Sequence, residues 1–270
     1  MTETLLARYD ALLLDLDGTV YRGREAVPGA AEAVSAARDH GTGIRFVTNN
    51  ASRAPRDVAD HLTEIGFHAE LDEVSTSGQA AATMLADRPP AGAQVLVLGT
   101  EALADEVRQR GLTPVRETGP DTAAVVQGLS QDLGWRELAE ACVAIRAGAL
   151  WVTCNVDVTL PTERGLLPGN GALVVALKAA TDREPLVAGK PAVPLLDQAA
   201  KSLGAQRPLV VGDRLDTDIA GAINAGMDSL LVLTGVSTEA EALALPPEQR
   251  PTYIASDLSG LLQAPKRVNG

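Results

Sequence analysis

The chain has 270 residues, of which 46% are hydrophobic and 21% charged, and its formal net charge is −12. A chain of this length buries about three quarters of its unfolded surface and can form one domain or two. The negative charge disfavours nucleic acid and acidic lipid as partners, because both carry phosphate. Aromatic residues make up only 3%, so we expect an aliphatic core.

The sequence also predicts where the protein is located and whether its cysteines are reduced. The sequence has no apolar run long enough for a membrane helix, and its first residues include Glu3, Arg8 and Asp10, where a signal peptide would be apolar. We therefore expect a cytoplasmic protein without a membrane partner. Cys142 and Cys154 have no neighbouring histidines, which predicts reduced thiols rather than a metal site or a disulfide scaffold.

The first third of the chain alternates apolar runs with helical stretches. This pattern predicts a βαβ unit of roughly 30 residues, in which the two strands lie parallel and end at the same edge of a sheet. A further helix is expected to begin with proline and end before glycine. The predicted strands are 11–14 and 44–48, and the predicted helices are 29–40 and 55–65.

The final third repeats the alternation and is expected to complete the same sheet. Its predicted helices are 194–203 and 218–225, and its predicted strands are 209–211 and 229–233. The middle stretch has strands at 95–98, 123–126 and 150–153 and helices at 101–110, 136–147 and 172–180, a pattern too regular for a surface loop.

These patterns together predict an α/β fold: a doubly wound, Rossmann-like parallel-sheet core with a smaller inserted α/β domain. The core is assigned to 1–78 and 189–270, and the insert to 79–188. We expect the insert to move on hinges near 77–79 and 187–189.

The pentapeptide Asp15-Leu16-Asp17-Gly18-Thr19 follows the first predicted strand directly. Carboxylates at positions i and i+2 project to the same side of an extended backbone, and the glycine permits a sharp turn. Open α/β sheets bind ligands at this end of their strands. The alternative is a turn whose aspartates only cap a helix.

Three further fragments fall at predicted strand ends or in loops that open helices, and each supplies a different chemical group. The hydroxyl and amides of Thr48 and Asn49 can bind phosphoryl oxygens, Lys190 can neutralise their charge, and a later acidic group can hold a metal ion. Alternatives remain for each: a helix cap, an exposed loop lysine and an acidic helix start. The acidic residue that can join the first pair around a metal ion is Asp213, in the sequence GDRLDTD, which also contains Asp218.

In this combination the chain resembles the haloacid dehalogenase superfamily, whose four signatures are matched by DLDGT, the threonine of VTNN, the lysine of GKP, and GDRLDTD. The resemblance covers nearly the whole chain. The long insert is similar to the large type IIA cap. The run from Gly165 to Gly171 and the ending GDRLDTDIAGA are most similar to actinobacterial glycerol 3-phosphate phosphatases.

The resemblance implies a phosphatase rather than a dehalogenase, because Asp17 supplies the proton that an alkoxide needs and a halide does not. Asp15 corresponds to the nucleophile that forms an aspartyl-phosphate, and Asp17 to the general acid and base. The implied cofactor is Mg²⁺, held by Asp15, Asp17 through its carbonyl, and Asp213, with Asp218 nearer the outer shell. The implied phosphoryl-binding groups are the amides of Leu16 and Gly18 together with Thr48, Asn49 and Lys190.

The implied substrate is a small phosphomonoester, and among such compounds the resemblance favours glycerol 3-phosphate. Other phosphorylated metabolites remain open: a nucleoside monophosphate, phosphoglycolate, a sugar phosphate, pyridoxal phosphate or 4-nitrophenyl phosphate. A catalytically silent metabolite-binding protein is a second class, and an oxidoreductase is disfavoured because no dinucleotide fingerprint is present. Substrate selection is expected from Asn155, Asp157 and Arg164, which are otherwise ordinary polar loop residues. The resemblance also implies a homodimer formed through the insert.

Overall fold

The structure is a computed structural model that describes residues 3–162, 164–264 and 266–269. It consists of two compact units. The first comprises Met1–Thr48, Pro55–Ser75 and Lys190–Gly270, and the second comprises Asn49–Ala54 and Thr76–Gly189.

The strands are, in chain order, β1 (Ala11–Leu14), β2 (Tyr21–Arg22), β3 (Glu25–Ala26), β4 (Gly43–Thr48), β5 (Val74–Thr76), β6 (Gln94–Leu98), β7 (Thr113–Val115), β8 (Thr122–Gln127), β9 (Leu150–Thr153), β10 (Thr159–Thr162), β11 (Gly165–Pro168), β12 (Leu186–Val187), β13 (Pro208–Gly212), β14 (Asp228–Val232) and β15 (Tyr253–Ala255). The α-helices are α1 (Ala30–Asp39), α2 (Pro55–Glu64), α3 (Ser77–Ala86), α4 (Glu101–Gln109), α5 (Trp135–Arg146), α6 (Asn170–Thr181), α7 (Pro194–Ser202), α8 (Ala220–Ala225) and α9 (Glu239–Ala244).

The first unit is built on a six-stranded sheet with the order β15-β14-β13-β1-β4-β5. Neighbouring strands from β15 to β4 are parallel. All four residues of β1 are buried, as expected for a central strand covered on both faces. The core is aliphatic apart from a few aromatic rings, among them Phe46 and Phe67, which pack edge to face with centroids 6.3 Å apart.

A short antiparallel hairpin, β2–β3, follows β1 in the first unit. His61 of α2 packs edge to face on the Tyr21 ring, with centroids 5.2 Å apart. Arg22 donates hydrogen bonds from its guanidinium to the carbonyl of Thr234, beyond β14. The hairpin is therefore attached to two separate parts of its unit.

The second unit contains a parallel five-stranded sheet with the order β12-β9-β8-β6-β7. Its core includes Leu96, Val125 and Val174 around the buried Trp151. The indole Nε1 of Trp151 donates to Gln127 Oε1 at 3.1 Å, which satisfies both buried polar atoms. Strands β10 and β11 form a separate antiparallel hairpin whose β11 residues are all exposed.

The predicted α/β class with parallel sheets is confirmed, and most predicted elements lie within one or two residues of the observed ones. The predicted break at 78/79 differs from the structure, because it falls inside α3. Thr76 caps this helix: its Oγ1 accepts from Gln79 N at 3.1 Å, and Gln79 Oε1 accepts from Thr76 N at 2.9 Å. Such a capping box fixes the first turn, so the predicted hinge at 77–79 corresponds to an ordered helix start.

Two other parts of the pattern also differ. The predicted helix 218–225 begins earlier, as a π-helical turn, Leu215–Ile219, that continues into α8. The hairpins β2–β3 and β10–β11 were not predicted, since strands of two to four residues carry little periodicity. Among the described residues, no helix is both long and apolar enough to cross a membrane.

Candidate active site

The candidate site lies at the carboxyl edge of the sheet in the first unit. Leu14, the last residue of β1, pairs with Val211 of β13 on one side and Phe46 of β4 on the other. The amide of Asp15 continues the ladder by donating to Val211 O at 2.8 Å. Because the three strands are parallel, the residues that follow them emerge at one edge. Asp15 and Asp213 follow β1 and β13 directly, and Thr48 is the last residue of β4.

Lys190, which precedes α7, is at the centre of the charged cluster. Its Nζ donates to Asp15 Oδ1 and to Asp218 Oδ1, both at 2.6 Å, and contacts Val47 O at 3.4 Å. The side chain is only 3% exposed. Burial alone would lower the pKa of Lys190, but the two carboxylates raise it above its ordinary value. The lysine is therefore held as an ammonium ion.

Asp15 is the carboxylate in this cluster that solvent reaches most easily, with 15% of its side chain exposed against 1% for Asp218. Burial and the charges of Asp218 and Asp213 raise the pKa of Asp15 well above its ordinary value, while Lys190 lowers it. One carboxylate oxygen from each of the three aspartates lies within 4.8 Å of the others. Three carboxylates against one ammonium leave two negative charges uncompensated.

Asp213 has one carboxylate oxygen engaged and one free of protein partners. Its Oδ2 accepts from Val236 N at 2.7 Å, whereas its Oδ1 is buried and accepts no hydrogen bond from any residue that the structure describes. Burial, followed by the charge of Asp218, raises the pKa of Asp213 to about 6. A buried carboxylate oxygen without a donor is costly unless another positive group satisfies it. Two missing positive charges and an oxygen-only donor set fit a hard divalent cation such as Mg²⁺.

Asp218 uses both of its oxygens within the protein. Oδ1 accepts from Lys190, and Oδ2 accepts from the amide of Arg214 at 3.1 Å. The π-helical turn directs this buried side chain back toward the strand that precedes it. This arrangement leaves Asp15 and Asp213 as the better direct metal ligands, with Asp218 holding the lysine.

Three glycines make room for these carboxylates. A Cβ at Gly212 would lie 2.2 Å from Asp218 Cγ, and Cβ atoms at Gly18 and Gly235 would lie 2.6 Å and 1.9 Å from Asp213 Oδ2. Gly18 also has a φ of 83°, a conformation that side chains disfavour. The acidic cluster is therefore packed against backbone, which leaves these carboxylates little freedom to turn.

The loop after β1 differs from the prediction in one respect. The amide of Gly18 donates to Tyr21 O at 2.7 Å, so it is already engaged and is not available to substrate in this structure. The reason is the unpredicted hairpin β2–β3, whose first residue supplies that carbonyl. Leu16 is buried, and Asp17 is exposed and forms an isolated β-bridge with Tyr21.

The other predicted site residues divide between the units. Thr48 ends β4 in the first unit and is buried, whereas Asn49 belongs to the second unit. There, Asn49 Nδ2 donates to both carboxylate oxygens of Asp157 at 3.3–3.4 Å, and Asn155 Nδ2 donates to Asn49 O at 2.8 Å. Arg164 is exposed at the turn between β10 and β11.

Sequence reasoning missed the loop from Thr234 to Ser237, which follows β14. This loop supplies the amide that binds Asp213 Oδ2, and the Thr234 hydroxyl, which donates to Gly18 O at 2.6 Å. The available signal was a Thr-Gly pair directly after an apolar strand, at the same sheet edge as the other fragments.

Comparisons with known proteins agree with this geometry. A family model of haloacid dehalogenase-like hydrolases matches residues 12–113, and a HAD-hydrolase-like model matches residues 187–261. The D-glycerol 3-phosphate phosphatase of Mycobacterium tuberculosis is 54% identical over 264 residues, which are 98% of this chain and 74% of the relative. A 5'-nucleotidase of Bacillus subtilis is 41% identical over 231 residues, 85% of this chain and 89% of the relative.

The solved structures show the same likeness. The crystal structure of the glycerol phosphate phosphatase of Mycobacterium tuberculosis in complex with magnesium has a TM-score of 0.92, covering 97% of this chain and 78% of that one. The chain therefore belongs to the haloacid dehalogenase superfamily of hydrolases, in its type IIA branch, and the resemblance drawn from the sequence motifs is confirmed.

Proposed function

We propose that this protein is a magnesium-dependent phosphatase that hydrolyses a small phosphomonoester, with glycerol 3-phosphate as its main substrate. The observation that carries the proposal is the buried cluster in which Asp15 contacts Lys190 while the Oδ1 atom of Asp213 has no donor among the residues that the structure describes. A phosphoryl group is a dianion, and the cluster has an excess of negative charge. The site therefore needs a cation before it can accept such a substrate.

Asp15 and Asp213 would hold the ion through carboxylate oxygens, and Asp17 through its main-chain carbonyl. When bound, Mg²⁺ neutralises the phosphoryl oxygens and stabilises the charge that develops on them in the transition state. Lys190, the Thr48 hydroxyl, the Leu16 amide and Asn49 would supply the remaining positive groups and hydrogen-bond donors. The amide of Gly18 is left out of this set because Tyr21 O already accepts from it.

The reaction proceeds in two displacements. A carboxylate oxygen of Asp15 attacks phosphorus, the bond from phosphorus to the ester oxygen breaks, and the departing alkoxide takes a proton from the carboxylic acid of Asp17. A water molecule then attacks the aspartyl-phosphate and gives a proton to the Asp17 carboxylate. The bond between phosphorus and Asp15 breaks, which releases inorganic phosphate and restores both carboxyl groups.

Among the possible substrates, glycerol 3-phosphate is favoured by the sequence identities of the relatives named above. The relative named for D-glycerol 3-phosphate is 54% identical over almost the whole chain, against 41% for the 5'-nucleotidase. Acid sugar phosphatases from staphylococci are 36–37% identical. The proposal for the substrate class rests on all of these relatives, and the proposal for glycerol 3-phosphate rests on the first.

A panel of phosphorylated metabolites with Mg²⁺, assayed for released phosphate, tests both the phosphatase activity and the preference for glycerol 3-phosphate. We expect glycerol 3-phosphate to give the highest kcat/KM, and Asp15→Asn to lose release of phosphate from every compound. Asp39→Asn is the matched control, because Asp39 is an exposed aspartate at the end of α1. A different best substrate would contradict the narrower proposal. An Asp15→Asn variant as active as Asp39→Asn would contradict the mechanism.

Within the second unit, we propose that Asp157 and Arg164 contribute to substrate selection. The hydrogen bond from Asn49 to Asp157 supports this, since it connects a predicted phosphoryl-binding residue to that carboxylate. Asn155 is better explained as support, because its amide binds Asn49 O and its Oδ1 accepts from Asp157 N at 3.2 Å. We expect Asp157→Asn and Arg164→Gln to lower kcat/KM for glycerol 3-phosphate more than for 4-nitrophenyl phosphate. Equal losses for both substrates would contradict a role in selection.

We also propose a homodimer formed through the second unit, in a cytoplasmic protein. Trp135 is 84% exposed at the start of α5, and Val143 on α5 and Val175 on α6 are also exposed. Exposed apolar groups on packed neighbouring helices are typical of an interface. Sedimentation equilibrium should give twice the chain mass of 28.0 kDa, and Val143→Glu together with Val175→Glu should shift it to the monomer mass. A monomeric wild-type protein would contradict this part.

A further inference from the structure

We propose that the loop Thr234–Ser237, named here the β14 loop, is a positioning element of the metal site, with Thr234 and Gly235 setting its affinity for the ion. This inference rests on the metal-dependent function proposed above. The residues of the β14 loop carry no formal charge and lie outside the four sequence signatures. They act on Asp213 and on the loop after β1 through main-chain contacts and one hydroxyl.

The first line of support is the confinement of one carboxylate oxygen. Asp213 Oδ2 accepts from Val236 N at 2.7 Å. The α-carbons of Gly18 and Gly235 approach the same oxygen so closely that a Cβ on either would lie within 2.6 Å of it. Because Oδ2 is held in this way, rotation of the carboxylate is blocked. Oδ1 is therefore left as the buried oxygen that accepts no bond from any described residue.

A second set of contacts fixes the position of the β14 loop itself. Ser237 N donates to Asp213 O at 3.1 Å, and Ser237 Oγ accepts from Leu215 N at 3.1 Å. The loop is therefore joined at its far end both to the residue it orients and to the π-helical turn that contains Asp218. These bonds hold the Val236 amide in a fixed position within the folded site, unlike an amide in a free surface loop.

The third line of support connects the β14 loop to the segment that contains Asp15 and Asp17. Thr234 Oγ1 donates to Gly18 O at 2.6 Å, and the guanidinium of Arg22 donates to Thr234 O. The amide of Gly18 is fixed as well, by Tyr21 O at 2.7 Å. Both peptide planes that flank Gly18 are thus held. The carbonyl of Asp17 shares one of these planes, and in a trans peptide it points opposite to the Gly18 N–H. Tyr21 O therefore fixes the plane that contains the Asp17 carbonyl, and Thr234 fixes the adjoining plane on the other side of the Gly18 α-carbon.

These contacts predict what each substitution does to ion binding. Thr234→Val keeps the shape and removes the bond to Gly18 O, so Mn²⁺ affinity should fall about five-fold, the usual effect of one lost hydrogen bond. Gly235→Ala places a methyl group against Asp213 Oδ2 and should lower affinity by about 10- to 100-fold, the range for groups that support a ligand. Thr234→Ser keeps the hydroxyl and should restore affinity to within about two-fold of wild type.

The test is titration of Mn²⁺ into the metal-free protein, followed by electron paramagnetic resonance of the free ion, without substrate. Thr63→Val is the matched control for the hydroxyl, since Thr63 Oγ1 donates to Ala59 O at 2.9 Å within α2. Gly119→Ala is the control for the methyl group, because its Cβ would meet nothing nearer than 3.9 Å. Both controls should bind Mn²⁺ as the wild type does. Thermal unfolding without metal identifies any variant that fails to fold.

Four outcomes are informative. Weakened binding in Thr234→Val that Thr234→Ser restores supports the inference, even if Gly235→Ala does not fold. Wild-type affinity in both Thr234→Val and a folded Gly235→Ala overturns it. Equal losses in Thr234→Val and Thr63→Val also overturn it, because the effect would then be general destabilisation. A wild-type protein that binds no Mn²⁺ contradicts the proposed function itself, which separates that failure from failure of the inference.

Discussion

Replacing Lys190 with methionine removes the positive charge from the centre of the acidic cluster while keeping a side chain of similar length. In the metal-free protein, Asp15 and Asp218 would then each lose an ion pair with Lys190, in which Nζ lies 2.6 Å from the carboxylate oxygen. Both carboxylates are largely buried, and Asp213 beside them already has an oxygen that no described residue of the chain supplies with a donor. We expect a large loss of stability that does not depend on catalysis.

The size of the loss can be bounded in two ways. Removing one partner of a buried ion pair costs about 3–5 kcal/mol, because a charge is left buried without compensation. The protein can limit this cost by protonating one carboxylate. At neutral pH, protonation of an aspartate from its ordinary pKa of 3.8 costs about 4 kcal/mol. We therefore expect Lys190→Met to lower the free energy of unfolding by about 3–4 kcal/mol.

Lys201→Met is the matched control. Lys201 Nζ also lies 2.6 Å from a carboxylate, that of Asp197, but the two side chains are 75% and 43% exposed. An exposed pair one helical turn apart contributes about 0.3–0.5 kcal/mol. The two variants thus remove the same kind of contact at the same distance, and differ mainly in burial.

Urea-induced unfolding in EDTA, followed by circular dichroism, measures both losses. The reasoning requires the Lys190 variant to lose several times more stability than the Lys201 variant. If both variants lost less than about 1 kcal/mol, the range of exposed pairs, burial would not be what gives the Lys190 contacts their energy. The assigned role of the cluster would then be wrong.

Three further results are expected. Treatment with EDTA should abolish phosphate release, and added Mg²⁺ should restore it; activity that survives chelation would contradict the metal-dependent mechanism. Gly212→Ala should lose most activity and Mn²⁺ binding, because its Cβ would lie 2.2 Å from Asp218 Cγ; calorimetric titration of the folded variant checks this. Tyr9→Phe removes a buried hydroxyl that donates to Asp228 Oδ2 at 2.6 Å, so urea unfolding should show a loss of about 1–3 kcal/mol while kcat stays unchanged.

Much of the first unit could be predicted because its signals are periodic. Fully buried parallel strands such as Ala11–Leu14 appear as apolar runs, and the residues after them must meet at one sheet edge. That reasoning groups Asp15, Thr48 and Asp213 without any knowledge of side-chain contacts. Lys190 required an argument from chemistry, since only its position between Gly189 and Pro191 distinguished it from an exposed loop lysine.

The contacts that escaped prediction are those made by the backbone. Any residue type except proline can supply a main-chain amide like that of Val236, which binds Asp213, so the sequence carries no distinctive signal for this contact. The engagement of the Gly18 amide depends on a hairpin with two-residue strands, which is too short for a periodic pattern. The predicted break at 78/79 falls inside α3, because the capping box at Thr76 and Gln79 makes Ser77-Gly78 the start of a helix.

The distribution of aromatic residues gives each unit its own optical signal. Both tryptophans of the chain, the exposed Trp135 and the buried Trp151, belong to the second unit, whereas the tyrosines Tyr9, Tyr21 and Tyr253 belong to the first. Indole emission during denaturation therefore reports on one unit, and phenol absorbance on the other. Coincident transitions from the two chromophores would indicate a single cooperative unfolding event, and separate transitions would give each unit its own melting curve.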